Sequence, residues 1–309
     1  RLHFGLLSLG GPGRQFGGVG VMVEPPLTKV ELCQSTGFAI SGPLESRVQA
    51  TVESWRNYFG WSQLPECHIS IRQLAPQHVG LGSGTQLGLA IVTALNRFVS
   101  QPSQDPAALT RAAGRGRRSA VGTYGFLHGG LIVERGRLPD HSLAELQTHL
   151  ALPDRWRFVL ARASGESGLS GYAESRAFQD LPRPPSSLRA ALYSELKRNL
   201  VPAAKARDID AFGESLYRYG RLAGLFFVKA QGGPYNGPRI ASLVDQIRKM
   251  GVAGVGQSSW GPTVFALTDS PENAERLVDQ LRGEHPESGL DLSICRVNNS
   301  GARIEIEQG

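Results

Sequence analysis

Paired cysteines, long apolar runs and clustered positive charge are all missing from this chain, and each absence closes off a class of function. The three cysteines, Cys33, Cys67 and Cys295, are odd in number, widely spaced and outside any C-x-x-C or Cys/His pattern. A disulfide scaffold and a structural zinc site fall away, and the thiols read as buried or incidental. No apolar stretch approaches the ~20 residues that a membrane helix needs, and no signal peptide is visible. A cytoplasmic protein without a membrane partner is expected. The net charge of +6 comes from 33 basic against 27 acidic residues, 28 of the basic ones being arginine. Nucleic-acid binding would gather basic residues on one element with interleaved aromatics. The one dense run is GRGRR at 114–118, so small anionic molecules, and no nucleic acid, are the expected partners.

What is present is an ordinary globular composition, 40% hydrophobic and 19% charged over 309 residues, which is more than one core usually takes. Two packed lobes or one large α/β unit are expected, with a boundary between 150 and 185 placed at 154, giving units 1–154 and 155–309. Alternation and turn residues predict strands in RLHFGLLSL, GVGVMVEPP, TKVELCQS and ECHISIRQL, with a turn at 9–14. Val48, Val52, Trp55 and Phe59 recur at spacings of three and four, which predicts an amphipathic helix over 45–59. QLGLAIVTALNRFVS, apolar nearly all round, predicts a buried helix, and a short helix is expected over 106–113 after a connector at 101–106. The end of GRGRRSAVGTYGFLHGGLIVERG reads as a glycine-bounded strand pair. Further on, the pattern predicts a strand in RWRFVLAR, a loop over 163–171 and helices near 187–200, 208–230, 238–250 and 271–283. Strands are expected in GVGQSSWGPTVFALT, LDLSICRVN and ARIEIEQ, and no internal repeat is apparent.

GLGSGTQ, residues 80–86, opens the buried helix. The first amides of a helix lack internal partners, and the aligned peptide dipoles place about half a positive charge there. Gly80, Gly82 and Gly84 let the backbone approach an anion closely, while Ser83, Thr85 and Gln86 supply further donors. Each bond to a charged oxygen is worth roughly 1.5 to 3 kcal/mol before desolvation losses. No Gly-Lys-Ser/Thr follows and no acid lies suitably downstream, so the stretch is neither a Walker loop nor a dinucleotide fingerprint. GRGRRS adds Arg115, Arg117 and Arg118, whose forks suit phosphate oxygens. GVGQSSWGPT brings Gln257, Ser258, Ser259 and Trp260 into a loop before a strand, suited to packing on a ligand or on the glycine loop. His3, His78 and His128 each adjoin a glycine-rich element, where acid/base or hydrogen-bonding roles are open to them.

A strand, then P-x-x-x-G-L-G-S from Pro76 to Ser83, then a buried helix, resembles the GHMP kinase superfamily. The resemblance implies an α+β fold of two lobes, the first like ribosomal protein S5 domain 2 and the second ferredoxin-like. RLHFGLLSL, GRQFGGVGVMVEPP, GLGSGTQLGLA, GRGxxSxxGxxxFxHGGLIVE and GVGQSSWGPT, in that order, further resemble the β-ribofuranosylaminobenzene 5'-phosphate synthases of tetrahydromethanopterin biosynthesis. That family implies condensation of 4-aminobenzoate, or 4-hydroxybenzoate, with 5-phosphoribosyl diphosphate, releasing CO2 and pyrophosphate. It further implies Mg2+ and a homodimer. Carried onto this chain, it points to Gly80, Gly82, Ser83, Gly84, Thr85 and Gln86 as the phosphate loop, with Arg14 and Arg115 as added anion contacts. Gly18, Gln257, Ser258, Ser259 and Trp260 would meet substrate, and His3, His78 or His128 would orient the benzoate or act as acid/base. Metal ligands are not readable, Glu24 and Glu134 being merely the acids at suitable loop ends, and Arg117 and Arg118 stand where small residues are expected. An ATP-dependent GHMP kinase and a non-catalytic metabolite-binding module are the other readings.

Overall fold

A computed structural model describes residues 1–9, 13–101, 103, 105–116, 118–163, 176–285 and 289–307. Most of the expected loop at 163–171, part of the turn at 9–14, two connector residues and Arg117 fall outside them.

Three sheets carry the chain. In the first, β1 (Leu2–Leu6), β2 (Gly18–Val21), β7 (Leu131–Glu134) and β8 (Leu146–Leu150) run antiparallel in the order β1-β2-β7-β8. In the second, β6 (Cys67–Gln73) lies between antiparallel β4 (Lys29–Gln34) and parallel β5 (Ala39–Ser41). In the third, β10 (Val255–Gln257), β11 (Val264–Thr268), β9 (Arg157–Ala163) and β12 (Leu290–Val297) take the two-residue β3 (Val23–Glu24) as their last neighbour. A segment near residue 23 thus completes a sheet otherwise built from residues beyond 157.

The helices follow the apolar spacing. Helix α1 (Glu45–Phe59) buries Val48, Thr51, Val52 and Trp55, ending on Gly60 in the left-handed region (φ 73°). Helix α2 (Ser83–Phe98) packs on α1 and β4 in a core with Ile69, Ile71 and Leu109. Trp55 places its indole N–H 2.7 Å from Asn96 Oδ1, which satisfies one polar group in that core. After α3 (Pro106–Ala112) and α4 (Val121–His128), α5 (Ser186–Glu195) runs through a π-turn into α6 (Val201–Ala206). Helices α7 (Ile209–Gly224), α8 (Val228–Gln231), α9 (Gly237–Lys249) and α10 (Pro271–Glu284) follow.

A single apolar cluster joins β1, β2 and β7 to β9, β11 and α7. Within it the Phe4 ring lies 5.0 Å from Phe265 and 6.4 Å from Phe158. The two halves of the sequence therefore share a core, and β1 sits at their junction.

Two expected elements are corrected. The stretch read as the start of a strand pair forms α4, and only β7 follows. Gly122 and Gly125 lower its intrinsic helicity and hid the periodicity, yet each allows a close approach. A Cβ on Gly125 would lie 2.6 Å from Met22 Sδ, and one on Gly122 would lie 3.1 Å from Thr85 Cγ2. ARIEIEQ alternates like a strand, but 302–307 carries no strand; Ile304 and Ile306 stay exposed. Alternation makes a strand only where a neighbouring edge accepts it.

Candidate functional site

The glycine loop lies at that junction. Gly80 (φ 85°) and Gly82 (φ 65°) turn the chain off Val79 so that α2 begins at Ser83. A Cβ on Gly80 would come within 2.3 Å of the Ser258 carbonyl, so glycine is required where the two halves touch. Ser258, fully buried, donates from Oγ to the Gly80 carbonyl (2.8 Å) and accepts the His3 amide (3.1 Å). Thr263 Oγ1 donates to the Val79 carbonyl (2.6 Å), and the Ser259 amide donates to the His3 carbonyl (2.9 Å). The GVGQSSWGPT loop is a clasp that fixes the glycine loop and β1.

Guanidiniums come close to the helix end at Gly82 and Gly84. The Thr85 and Gln86 amides turn inward onto the Gly82 carbonyl, at 3.1 and 3.3 Å. The Ser83 and Gly84 amides are thus the ones an anion there would meet. A Cβ on Gly82 would touch the Arg1 guanidinium at 2.7 Å, and one on Gly84 would lie 3.4 Å from Arg115 and 3.5 Å from Arg47. Three arginines from three parts of the chain thus meet two glycines at a positive helix end. Neither α2 nor α4 carries an acid in its first turn. Such an arrangement of donors can hold and stabilise negative charge.

Below it lies a polar chain. Gly5 N–H donates to His3 Nδ1 (3.2 Å), which puts the ring proton on Nε2, 3.1 Å from Ser119 Oγ. Burial, aided by the Arg1 charge, pushes His3 down to about 3, so the ring stays neutral. Gly18 makes room for it, since a Cβ there would lie 3.1 Å from the imidazole. Ser119 also accepts the Val121 amide (3.2 Å), and Glu134, fully enclosed, accepts the Ala120 amide on Oε2 (3.0 Å). Burial pushes the Glu134 carboxyl up to about 7, although Ser119 and the Ala120 and Val121 amides favour its charged form.

The remaining sequence candidates lie as follows. Ser83 and Thr85 lie in the first turn of α2, but Gln86 uses its side-chain amide on the Gly122 carbonyl (3.0 Å), tying α2 to α4. Arg14 is occupied by Glu145 and the Gly136 carbonyl. Gln257 bonds Asn236 N and Ser259 O, and Trp260 packs its ring on Phe227 (4.7 Å) and Phe178 (5.4 Å), so both face protein. Ser259 is exposed with φ 56°, and His78 is exposed beside the loop with φ 59°. His128 lies at the last residue of α4, 5.5 Å from His149, at the end of the helix opposite to the one facing Thr85. Arg118 stacks on Phe178, 4.1 Å from its ring centre.

Sequence reasoning missed Arg1, Arg47 and Ser119. Arg1 and Ser119 stood inside quoted motifs whose glycines and arginines drew the attention. Arg47 lay on the polar side of α1, and nothing local distinguishes it from a solvated arginine.

The implied Mg2+ finds no protein-built cage. Among the described residues no three His, Cys, Asp or Glu side chains gather to hold a metal ion. Glu24 is taken by Arg296 and Asn298, and Glu134 is enclosed in the core. Amides and guanidiniums at the loop fit an anion and do not fit a hard cation.

Residues 46–130 match the GHMP kinases N terminal domain and residues 200–287 match GHMP kinases C terminal. The chain is 31% identical, over 99% of its length and 97% of the relative's, to the beta-ribofuranosylphenol 5'-phosphate synthase of Archaeoglobus fulgidus. It belongs to that synthase family, within the GHMP superfamily. The synthase of the same name from Methanothermobacter thermautotrophicus is 28% identical over 92% of this chain and 91% of its own. Among solved structures, Streptococcus pneumoniae phosphomevalonate kinase superposes with a TM-score of 0.68 at 15% identity, covering 96% of this chain and 97% of that one. That likeness concerns the fold alone, an α+β GHMP fold. Among the described residues no helix is long and apolar enough to cross a membrane.

Proposed function

We propose that the protein is a beta-ribofuranosylphenol 5'-phosphate synthase, joining 5-phosphoribosyl diphosphate to a para-substituted benzoate with loss of CO2 and pyrophosphate. The observation that carries the reading is the helix end at Gly82 and Gly84, met by three arginines and with no acid in its own first turn, in a chain related to such synthases over nearly its whole length. In this chemistry the ring carbon bearing the carboxylate is para to an electron-donating group. It forms a bond to C1 of the sugar as the C–O bond to pyrophosphate breaks. The C–C bond to the carboxylate then breaks, CO2 leaves, and the ring regains aromaticity. No acid is needed at the anomeric carbon if the departing diphosphate is stabilised, and amides with guanidiniums supply that stabilisation. A Mg2+ ion would enter as the counter-ion of the diphosphate. The relatives' names specify a phenol product, so 4-hydroxybenzoate is the first acceptor to test and 4-aminobenzoate the second.

A kinase transferring a phosphoryl group from ATP to an alcohol would gain from a carboxylate near the helix end to accept the hydroxyl proton. Glu134, the acid bound to the start of α4, is instead enclosed and holds the Ala120 amide. The experiment is to incubate the protein with 5-phosphoribosyl diphosphate and carboxyl-labelled 4-hydroxybenzoate, following labelled CO2 and pyrophosphate. Equal release is expected; ADP from ATP and an alcohol, with no CO2, would reverse the conclusion.

A further inference from the structure

Arg47 stands on the first turns of α1, a helix whose buried face serves the core around Trp55. Its guanidinium does not run out along the helix surface. NH1 donates to Gln77 Oε1 at 2.7 Å, and Gln77 Nε2 is in turn fixed on the Ala75 carbonyl at 2.8 Å. The same NH1 lies 3.5 Å from where a Cβ of Gly84 would be, and NH2 of Arg115, arriving from beyond α3, lies 3.4 Å from that point. Two like charges therefore converge on one backbone position, at a helix end that is itself positive. The neutral Gln77 aims Arg47 without cancelling its charge, as an acid there would.

We propose that Arg47, aimed by Gln77, closes with Arg115 a two-guanidinium clamp over Gly84, and that the clamp selects a diphosphate over a single phosphate. The inference rests on the anion-binding reading of the glycine loop, and it goes further by giving the loop a length preference. A single phosphate satisfies the Ser83 and Gly84 amides and one guanidinium. A diphosphate spans both guanidiniums, and each planar fork grips a pair of oxygens. Gln77 acts through Arg47 and is a positioning residue.

Calorimetric titration with inorganic pyrophosphate and, separately, inorganic phosphate tests this on the full chain. Wild type is expected to bind pyrophosphate at least tenfold more tightly than phosphate. Arg47→Gln should weaken pyrophosphate by about 10- to 100-fold and phosphate by less than about threefold, so the selectivity ratio collapses. Gln77→Leu, which keeps both arginines, should lower the ratio by a smaller factor; damage to the loop alone would weaken both anions equally. Gly84→Ala is the folding-safe arm, because alanine favours the helix while its methyl occupies the clamp, so pyrophosphate affinity should fall with no loss of thermal stability. Equal effects on the two anions in Arg47→Gln, or a pyrophosphate affinity within twofold of wild type, would overturn the clamp. Because these titrations need no turnover, a protein that shows the selectivity yet makes no CO2 would keep the clamp and lose the synthase reading.

Discussion

Replacing Glu134 by Gln is expected to change how stability depends on pH, with a size and sign that the structure fixes. The carboxyl is raised from 4.5 to about 7, burial being the largest cause. A raised acid holds its proton in the folded state where the unfolded chain has lost it. Its contribution is thus fully present below the unfolded value, and it is lost as pH rises through the folded one. At 1.36 kcal/mol per pH unit, the interval from 4.5 to about 7 amounts to about 3 kcal/mol. Glutamine keeps an oxygen for the Ala120 amide and does not titrate. His3 acts in the opposite sense, because its value is lowered from 6.5 to about 3 and it costs stability as pH falls below 6.5. The two slopes cancel in wild type over much of that range, so the wild-type curve alone decides nothing. Urea unfolding of both proteins between pH 4 and 8 isolates Glu134 in the difference. Wild type minus variant should fall by about 1.4 kcal/mol per pH unit between about 4.5 and 7 and level off outside. A difference that is flat with pH would show that Glu134 titrates normally and would refute the enclosed, amide-bound carboxylate.

Ser258→Ala removes a buried hydroxyl that serves both Gly80 and His3; a loss of about 1 to 3 kcal/mol is expected in thermal or urea unfolding. Gly80→Ala sets a methyl against the Ser258 carbonyl at a backbone angle suited to glycine, so it should destabilise more than Ser258→Ala and also weaken pyrophosphate binding, read by calorimetry. His128→Ala, at the far end of α4, is expected to leave CO2 release within about twofold of wild type. His3→Ala should lower it by far more, through loss of the Ser119 contact at the start of α4.

Elements with strong periodicity were legible in the sequence. The helix expected over 45–59 is α1 with the same limits, because four apolar residues at helical spacing meet one core and glycine ends the run. Helix α4 was hidden, because its two glycines read as turns. Their function, close packing on Thr85 and Met22, involves residues 37 and 103 positions away and leaves no local trace. Strands β5 and β8 were missed for a similar reason: three residues pairing with β6, and an exposed edge pairing with β7, are defined by their neighbours. At the site, the glycine loop was legible from composition and Arg115 from its glycine setting. Arg47 was not, since only the three-dimensional path of α1 brings it to Gly84.

The same distinction sorts the predicted site residues by the work they do. GVGQSSWGPT was read as packing on a ligand or on the glycine loop, because Gln, two Ser and Trp together are unusual in a turn, and it packs on the glycine loop. The residues are unusual because they hold the two halves of the molecule together. Ser258 and Thr263 fasten two successive carbonyls where the glycine turn begins, at Gly80 and Val79, and Trp260 anchors the clasp among Phe178 and Phe227. The carbonyls just before α2 are thereby occupied from behind. That fixes the direction in which the Ser83 and Gly84 amides point, and preorganised donors need no reorganisation as charge develops on a leaving group. His3 belongs to the same frame. Its neutral ring, with Nδ1 and Nε2 both engaged, sets the start of α4 against β1 and takes up no second proton near neutral pH. On the proposed reading the chemistry falls to the amides and arginines at Gly82 and Gly84, which would suit a reaction whose demand is to stabilise a departing diphosphate.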